Sequence, residues 1–454
     1  MILPPKIPLF EVLRNLPQMA SQPIDVFTGY IEKYGRNFIL KIGASRLTHF
    51  TVDAELIRHV LQRNNRNYEK SEIQTTQLAR FLGKGLLTNS GKDWLKQRRL
   101  IQPGFHRQRL ETLTQEMQGV INQQCEKLNA AATGGQAISL HEFTRGAVFR
   151  IIVRAIFTDG FTEEESRELN EAIDAIQHYV IYPVRMPFLR APLRWLGKEA
   201  KYQAISQEIH QKVLQRIQER RKGLPKDDLL QMLLDSRYED NGEPMNDEQI
   251  ADEIKILFAA GHETSANALA WTIWLLLRHP PELDKVRSEL AAAAASGPID
   301  FAGVRRLPYT TQVIEESMRL YPPAWITDRV ALADDHAAGF DIARGTVVGI
   351  FFQGLHRSPE YWQNPDQFLP QRMSPEAKKE RHPFAFLPFG GGPRLCIGNH
   401  FAMLEMLLVL ASVLGKYDFE LPPNADAIGN RANITLGMDR ELLVKVKHRV
   451  GSQG

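Results

Sequence analysis

The residues best equipped for chemistry lie in one short stretch: Phe389, Gly390, Gly391, Gly392, Pro393, Arg394, Leu395, Cys396, Ile397 and Gly398. Three glycines in a row favour neither helix nor strand. They admit backbone angles closed to other residues and let the chain lie close against another body. An apolar series at helical spacing follows, with Phe401, Leu404, Leu407 and Leu408, so Cys396 sits just before a helix N-terminus. Free N–H groups and the helix macrodipole favour an anion there. A thiolate beside a flat, glycine-lined space suits an axial metal ligand. A nucleophile, or a cysteine that merely packs, suits the same residues.

A second group is the run Ala259, Ala260, Gly261, His262, Glu263, Thr264 and Ser265. It falls in the middle of a long apolar pattern. Asn246 can cap that pattern and Gln249 stands three residues on, as in a capping box; Pro280 and Pro281 end it. The span of about 33 residues makes a helix of roughly 50 Å, enough to cross a domain. Glycine inside a helix costs about 1 kcal/mol, and unpaired buried polar groups cost several. A small polar break at depth points to a large body packed against the helix and a reactive centre beside it. Two further pairs share helix faces: Glu316 with Arg319, and Trp94 with Arg98.

The elements that must position these groups are mostly helices. Segments 38–42 and 47–52 read as a strand pair around Gly43. Segments 339–345 and 346–352 read as a second pair, and Ile434 with 442–446 as a third. Small scattered strand groups among long amphipathic stretches predict a mainly α fold with small β-sheets, not an alternating β-α-β sheet. No linker divides the chain. The expectation is one domain over 1–454, with a β-containing part at about 30–70 and a helix-rich body at about 70–454. The proline-punctuated apolar segment 186–195 reads as a loop that covers a pocket, touches a membrane surface, or simply packs.

The 454 residues are 43% apolar and 24% charged, which excludes a disordered or collagen-like chain. A net charge of +3 supplies no basic domain for nucleic acid. Two cysteines, Cys125 and Cys396, exclude a disulfide framework. The N-terminal segment is broken by prolines and does not read as a signal peptide. The apolar runs at 269–277 and 406–414 are about half of a membrane span. Cytoplasmic localisation is expected.

The 389–398 stretch resembles the cysteine-loop signature of the cytochrome P450 family, the haem-thiolate monooxygenases. Other segments are similar to the family's motifs in the same order. Trp94 to Arg98 resembles the haem-edge Trp-x-x-x-Arg, and Ala260 to Thr264 the oxygen-activation motif. Glu316 to Arg319 resembles the Glu-x-x-Arg pair, and Phe368, Pro370 and Arg372 the segment whose arginine joins it. The resemblance covers about residues 30–450. It implies the P450 fold, with a long central helix over the distal haem face and the cysteine loop on the proximal face.

The resemblance also assigns roles. Haem b takes its axial thiolate from Cys396. Its cofactor-binding residues are Trp94, Arg98, Ala260, Gly261, Arg329, Phe389, Gly390, Arg394, Cys396 and Gly398. Arg98, Arg394 and Arg329 neutralise the propionates, and Gly261 leaves room for dioxygen. Thr264 and Glu263 are the catalytic alcohol and acid that pass protons to bound oxygen. Glu316, Arg319 and Arg372 form a structural triad. Phe258, Ala324, Trp325, Ile326 and Leu436 line a hydrophobic substrate pocket, for a fatty acid or terpenoid. The implied reaction inserts one oxygen atom from O2 into such a substrate. The electrons come from a ferredoxin- or flavodoxin-type donor with its reductase. Read from the residues, Lys92, Lys96, Arg98 and Arg99, with Arg394 nearby, make a basic face that suits an acidic donor; an ordinary solvated helix face suits them too. A peroxide-driven enzyme of the same fold and a non-catalytic haem sensor are the competing readings. No membrane span, no nucleic acid and a monomer are expected.

Overall fold

The computed structural model describes residues 2–42, 46–158, 160–423 and 425–449. Long helices dominate, and the strands fall into four small sheets. The largest has five strands: β1 (Asn37–Ile42), β2 (Arg46–Thr51), β3 (Tyr68–Glu69), β5 (Thr327–Ala331) and β8 (Val347–Ile350). Their order is β1-β2-β8-β5-β3. β1 and β2 pair antiparallel with Phe38 opposite Phe50, as expected; the turn at Gly43 lies outside the described residues. β2 runs parallel to β8, with Thr48 opposite Val347. β5 is antiparallel to β8 and to β3, so Tyr68 faces Ala331. This sheet brings residues 68–69 beside 327–331, some 260 positions apart in the chain.

Two predicted strand pairs form differently. Segment 339–345 does not pair with 346–352. Asp335–Ala337 (β6) and Phe340–Ile342 (β7) make their own hairpin through Ala338 and Gly339, both at positive φ. Nor does Ile434 pair with 442–446. Asn430–Ala432 (β10) and Leu436–Met438 (β11) form a hairpin whose turn holds Ile434. Leu443–His448 (β12) lies between Ala137–Ser139 (β4) and Tyr417–Glu420 (β9). The local hairpins turn at 338–339 and 433–435 rather than between the apolar segments, and those segments, β8 and β12, pair with distant strands.

The central helix is Asp247–Arg278, 32 residues and about 48 Å long at 1.5 Å per residue. Asn246 caps it by accepting from Gln249 N. Only half of the predicted capping box forms, because Gln249 turns its amide to Lys84 O and Glu253. The helix is continuous through Gly261, and the expected interruption is absent. Thr264 keeps its hydroxyl satisfied by donating to Ala260 O at 2.9 Å. The helix packs chiefly on Leu140–Phe157. A Cβ at Gly261 would meet Ile152 Cδ1 at 2.9 Å, so Gly261 serves this helix–helix contact. Gly261 also lines a cavity, the place where room for dioxygen was expected.

The core has two parts. One surrounds the central helix, with Trp271, Phe149, Phe157 and Phe258 fully buried. The other covers the five-stranded sheet, with Phe27, Phe38, Phe50, Trp325 and Phe351 in mutual ring contact. Among the described residues, one helix, Asn399–Lys416, has the length and apolar composition to cross a membrane. It packs against four other helices, including the central one, as a core helix does.

Candidate functional site

A cavity of about 1210 Å³ lies between the central helix and the cysteine loop, and its lining is mostly apolar. Ala260, Gly261 and Thr264 form one wall. Phe389, Gly390, Arg394, Cys396 and Gly398 form another, and Trp94, Arg98 and Arg329 close the edge. Segments more than 300 residues apart therefore meet here, as the ten cofactor-binding expectations required. Ala260 is exposed although it sits mid-helix, because it faces this space.

The cysteine loop is held by backbone. Cys396 N donates to Phe389 O at 3.0 Å, and Gly390 N to Leu387 O at 3.1 Å. Gly392 has φ +67°, and a Cβ there would lie 1.8 Å from Leu61 O. Its glycine thus answers to the protein's own chain. Gly390, at φ +73°, has nothing within 4 Å of its Cβ position and lines the cavity; this is the open cradle. Behind the loop, Arg319 holds Glu316 with two 2.8 Å bonds, both residues fully buried. Arg372 Nε stands 3.3 Å from Glu316 Oε1. Arg319 also donates to His356 O, and Leu387 N donates to His356 Nε2 at 2.9 Å. The triad therefore reaches the cysteine loop through His356, a residue for which the sequence offered no signal. Burial and Arg319 push the His356 pKa down to about 3, so the ring is neutral.

Cys396 opens on the cavity while the protein around it shuts out bulk water. Burial raises its pKa; a backbone bond from Gly398 and the Arg98 charge oppose this without overcoming it. The helix N-terminus alone does not make the thiolate predicted for it. A cation on Sγ would. Cys125 is packed in the helical core, away from the cavity.

The edge of the cavity carries concentrated positive charge. Arg394 stacks on the Trp94 ring at 4.5 Å and pairs with Glu69 at 2.6 Å, yet its buried Nη1 has no partner. Arg329 is buried, its pKa drawn down to about 10 by desolvation and by Arg394. Lys70 also lines the cavity, donating to Leu86 O and Asn89 O. Desolvation, with Arg394 and Arg329 nearby, lowers its pKa to about 6. Glu69 and Lys70 were not foreseen. Two charged residues at the end of a two-residue strand carry no spacing signal, and only β3–β5 pairing brings them here. Arg329 and Arg394 repel each other, Arg394 keeps an orphaned donor, and Lys70 gives up its proton near neutrality: the edge lacks anionic charge. Two propionates of a haem would supply it, and Cys396 and Ala260–Gly261 line the same apolar cavity. The residues present fit the cofactor.

Several expected positions are corrected. Phe258 is fully buried against Phe149 and Phe157, and Leu257 lines the cavity instead. Leu436 is fully buried in the sheet-side core, its carbonyl bonded by Trp271; the neighbouring Thr435, Ile434 and Asn433 take the wall. Ala324, Trp325 and Ile326 do line it. Glu263 does not. Its carboxyl is buried behind the wall, bonded by the Thr435 hydroxyl, and burial raises its pKa while Arg145 and His178 oppose. The basic face is also largely absent: Lys96 pairs with Asp240, Arg99 with Glu239, and Arg98 donates to Leu395 O at the cavity. Of the four cations, Lys92 and Arg98 have no acidic partner among the described residues.

Comparison with known proteins agrees with this geometry. The cytochrome P450 family model matches residues 4–439. Pentalenene oxygenase of Streptomyces avermitilis is 31% identical over 90% of this chain and 89% of its own. Cyclooctatin synthase of Streptomyces melanosporofaciens is 30% identical, with 88% and 86% covered. Echinocystic acid 23-monooxygenase of Saponaria officinalis is 30% identical, with 87% and 78% covered. A crystal structure of a cytochrome P450 superposes with a TM-score of 0.87 at 25% identity, over 99% of each chain. The chain belongs to the cytochrome P450 family of haem-thiolate monooxygenases.

Proposed function

We propose that this enzyme inserts one oxygen atom from O2 into a hydrophobic, lipid-like substrate such as a terpenoid or fatty acid, by hydroxylation or epoxidation. The observation that carries this reading is the placement of Cys396 and Thr264 on walls of one apolar cavity whose edge holds Arg98, Arg329 and Arg394. Three relatives act on terpenoid-type molecules by their names, which favours that class. Haem, when bound, supplies oxygen binding and redox chemistry, and a thiolate ligand favours O–O cleavage.

The chain's own residues do the rest. Cys396 holds the iron, and Gly398 N–H tunes the sulfur by hydrogen bonding. Arg98, Arg329, Arg394 and Lys70 receive the propionates, with Trp94 backing Arg394. Thr264 presents a hydroxyl to the cavity that can accept and donate. Glu263 keeps its proton more readily than an ordinary carboxyl because it is buried. It passes that proton through the Thr435 hydroxyl, which does line the cavity. For that transfer Glu263 donates to Thr435 Oγ1 while the hydroxyl gives its own proton towards the cavity; Asn267 Nδ2 holds the same oxygen at 3.0 Å.

The P450 match takes up residues 4–439. The two electrons are proposed to come from a separate ferredoxin- or flavodoxin-type protein with its reductase. The enzyme is proposed to work as a cytoplasmic monomer. Reconstitution with such a donor under ¹⁸O2 tests the reading: one labelled oxygen should enter a terpenoid or fatty-acid product. Product formed only from peroxide, with no label from O2, contradicts it.

A further inference from the structure

Six basic residues line the cavity: Lys41, Lys70, Arg98, Arg185, Arg329 and Arg394. Four belong to the haem-side group described above. Lys41 lies on β1 and is exposed. Arg185 is different. It ends the helix Glu163–Arg185, is partly buried, and lines the apolar part of the cavity. Its Nη1 donates to Ala20 O at 3.1 Å and its Nη2 to Asn433 O at 3.4 Å. Ala20 lies in the last turn of the helix Leu9–Ser21, where a cation complements free carbonyls. The two bonds use two of its five N–H groups. No carboxylate pairs with Arg185 among the described residues. Desolvation pulls its pKa down to about 10, with only Tyr182 opposing. A desolvated guanidinium without an acid is costly unless an anion arrives. The exposed Leu13, Leu16 and Phe188 border the same cavity, so Arg185 stands on the side where the cavity opens.

Resting on the proposed reading of a lipid-like substrate, we propose that Arg185 binds a carboxylate on that substrate, so the enzyme selects amphiphilic acids whose apolar body extends towards Cys396. The planar fork of arginine suits a carboxylate, with two parallel donors. Neutral terpenes and alcohols of the same shape are then the poorer ligands.

The test uses the haem-loaded protein and ω-imidazolyl alkanoic acids over a ladder of chain lengths, each beside its methyl ester. The imidazole anchors on iron, so binding is read from the Soret shift whether or not the far end finds a partner. At the chain length that reaches Arg185, the acid should bind about tenfold or more tighter than the ester. Arg185→Leu should erase that preference and Arg185→Lys should keep part of it. Lys41→Ala should retain it in full, because an exposed cation is screened by water. Equal binding of acid and ester at every length in the wild-type protein overturns the proposal, as does a preference that survives Arg185→Leu. A preference lost in Lys41→Ala but kept in Arg185→Leu moves the anchor to β1 and also overturns it. A protein that takes up no haem overturns the haem reading, and this proposal with it; a haem-loaded protein whose Soret band shifts with no member of the series overturns the proposal alone.

Discussion

At the scale of single residues, Thr264 and Glu263 differ in how directly they meet the cavity. Thr264 lies on its wall, whereas Glu263 reaches it only through the Thr435 hydroxyl. Removing the Thr264 hydroxyl should lower product formation by about 10²-fold, within the range for a lost proton-transfer group. Thr435→Val should mimic part of the Glu263→Gln defect, because both break the same relay. Steady-state product assays on the three variants check this; a Thr435→Val enzyme with full activity while Glu263→Gln fails removes Thr435 from the path. The motif made Glu263 and Thr264 legible as a pair, but not the side of the helix each faces. Adjacent helical positions differ by about 100°, so one faces the cavity and the other the core. The same rotation put Leu257 on the wall where Phe258 was expected. Arg394 was legible from its motif. Its partner Glu69 was not, since their meeting depends on a strand pairing.

At the scale of elements, the cysteine loop depends on the charge cluster beneath it. Glu316 is fully buried between Arg319 and Arg372. Glu316→Gln keeps the shape but strands a buried guanidinium. The expected loss is about 3–5 kcal/mol of stability, read as a drop in the denaturant midpoint together with faster haem loss. A change of a few tenths of a kcal/mol would mean the cluster is no more than a surface pair. The pair's shared helix face was readable from i,i+3 spacing. The link onward through His356 to Leu387 was not, because a lone histidine in sequence does not reveal that its ring accepts a backbone N–H. The central helix was legible within one residue at each end, since Asn246 and the prolines are strong local signals. The hairpins at 335–342 and 430–438 were misassigned because strands of three residues carry little pattern, and their turns fall at 338–339 and 433–435, outside the apolar runs.

For the whole molecule, buried histidines set the acid limit of stability. Burial lowers the pKa of His49 and His141 to about 4 and of His262 and His356 to about 3. Below the ordinary value of 6.5 the unfolded chain binds protons that the folded one refuses. Stability is therefore present above 6.5 and lost as pH falls towards 4. Buried carboxyls act the other way: Glu253, raised to about 8 by desolvation, is protonated in the folded state and weakens the fold as pH rises from 4.5 past 8. The melting temperature should thus decline on both sides of a maximum, and the acid limb should be shallower in His262→Phe. A variant with an acid limb as steep as the wild type would exclude His262 from it. The mainly α architecture with small sheets was legible from composition and periodicity. The cavity was not, because it is enclosed by segments from residues 9 to 435 that only the fold assembles.

The central claim is that Cys396 is the thiolate ligand of a haem held in this cavity. The direct measurement is the absorption spectrum of the dithionite-reduced, carbon monoxide-bound protein beside Cys396→Ala. The structure predicts a strongly red-shifted Soret band in the wild-type protein and its absence in the variant. A Soret band at the position of histidine-ligated haem, unchanged by the substitution, would contradict it.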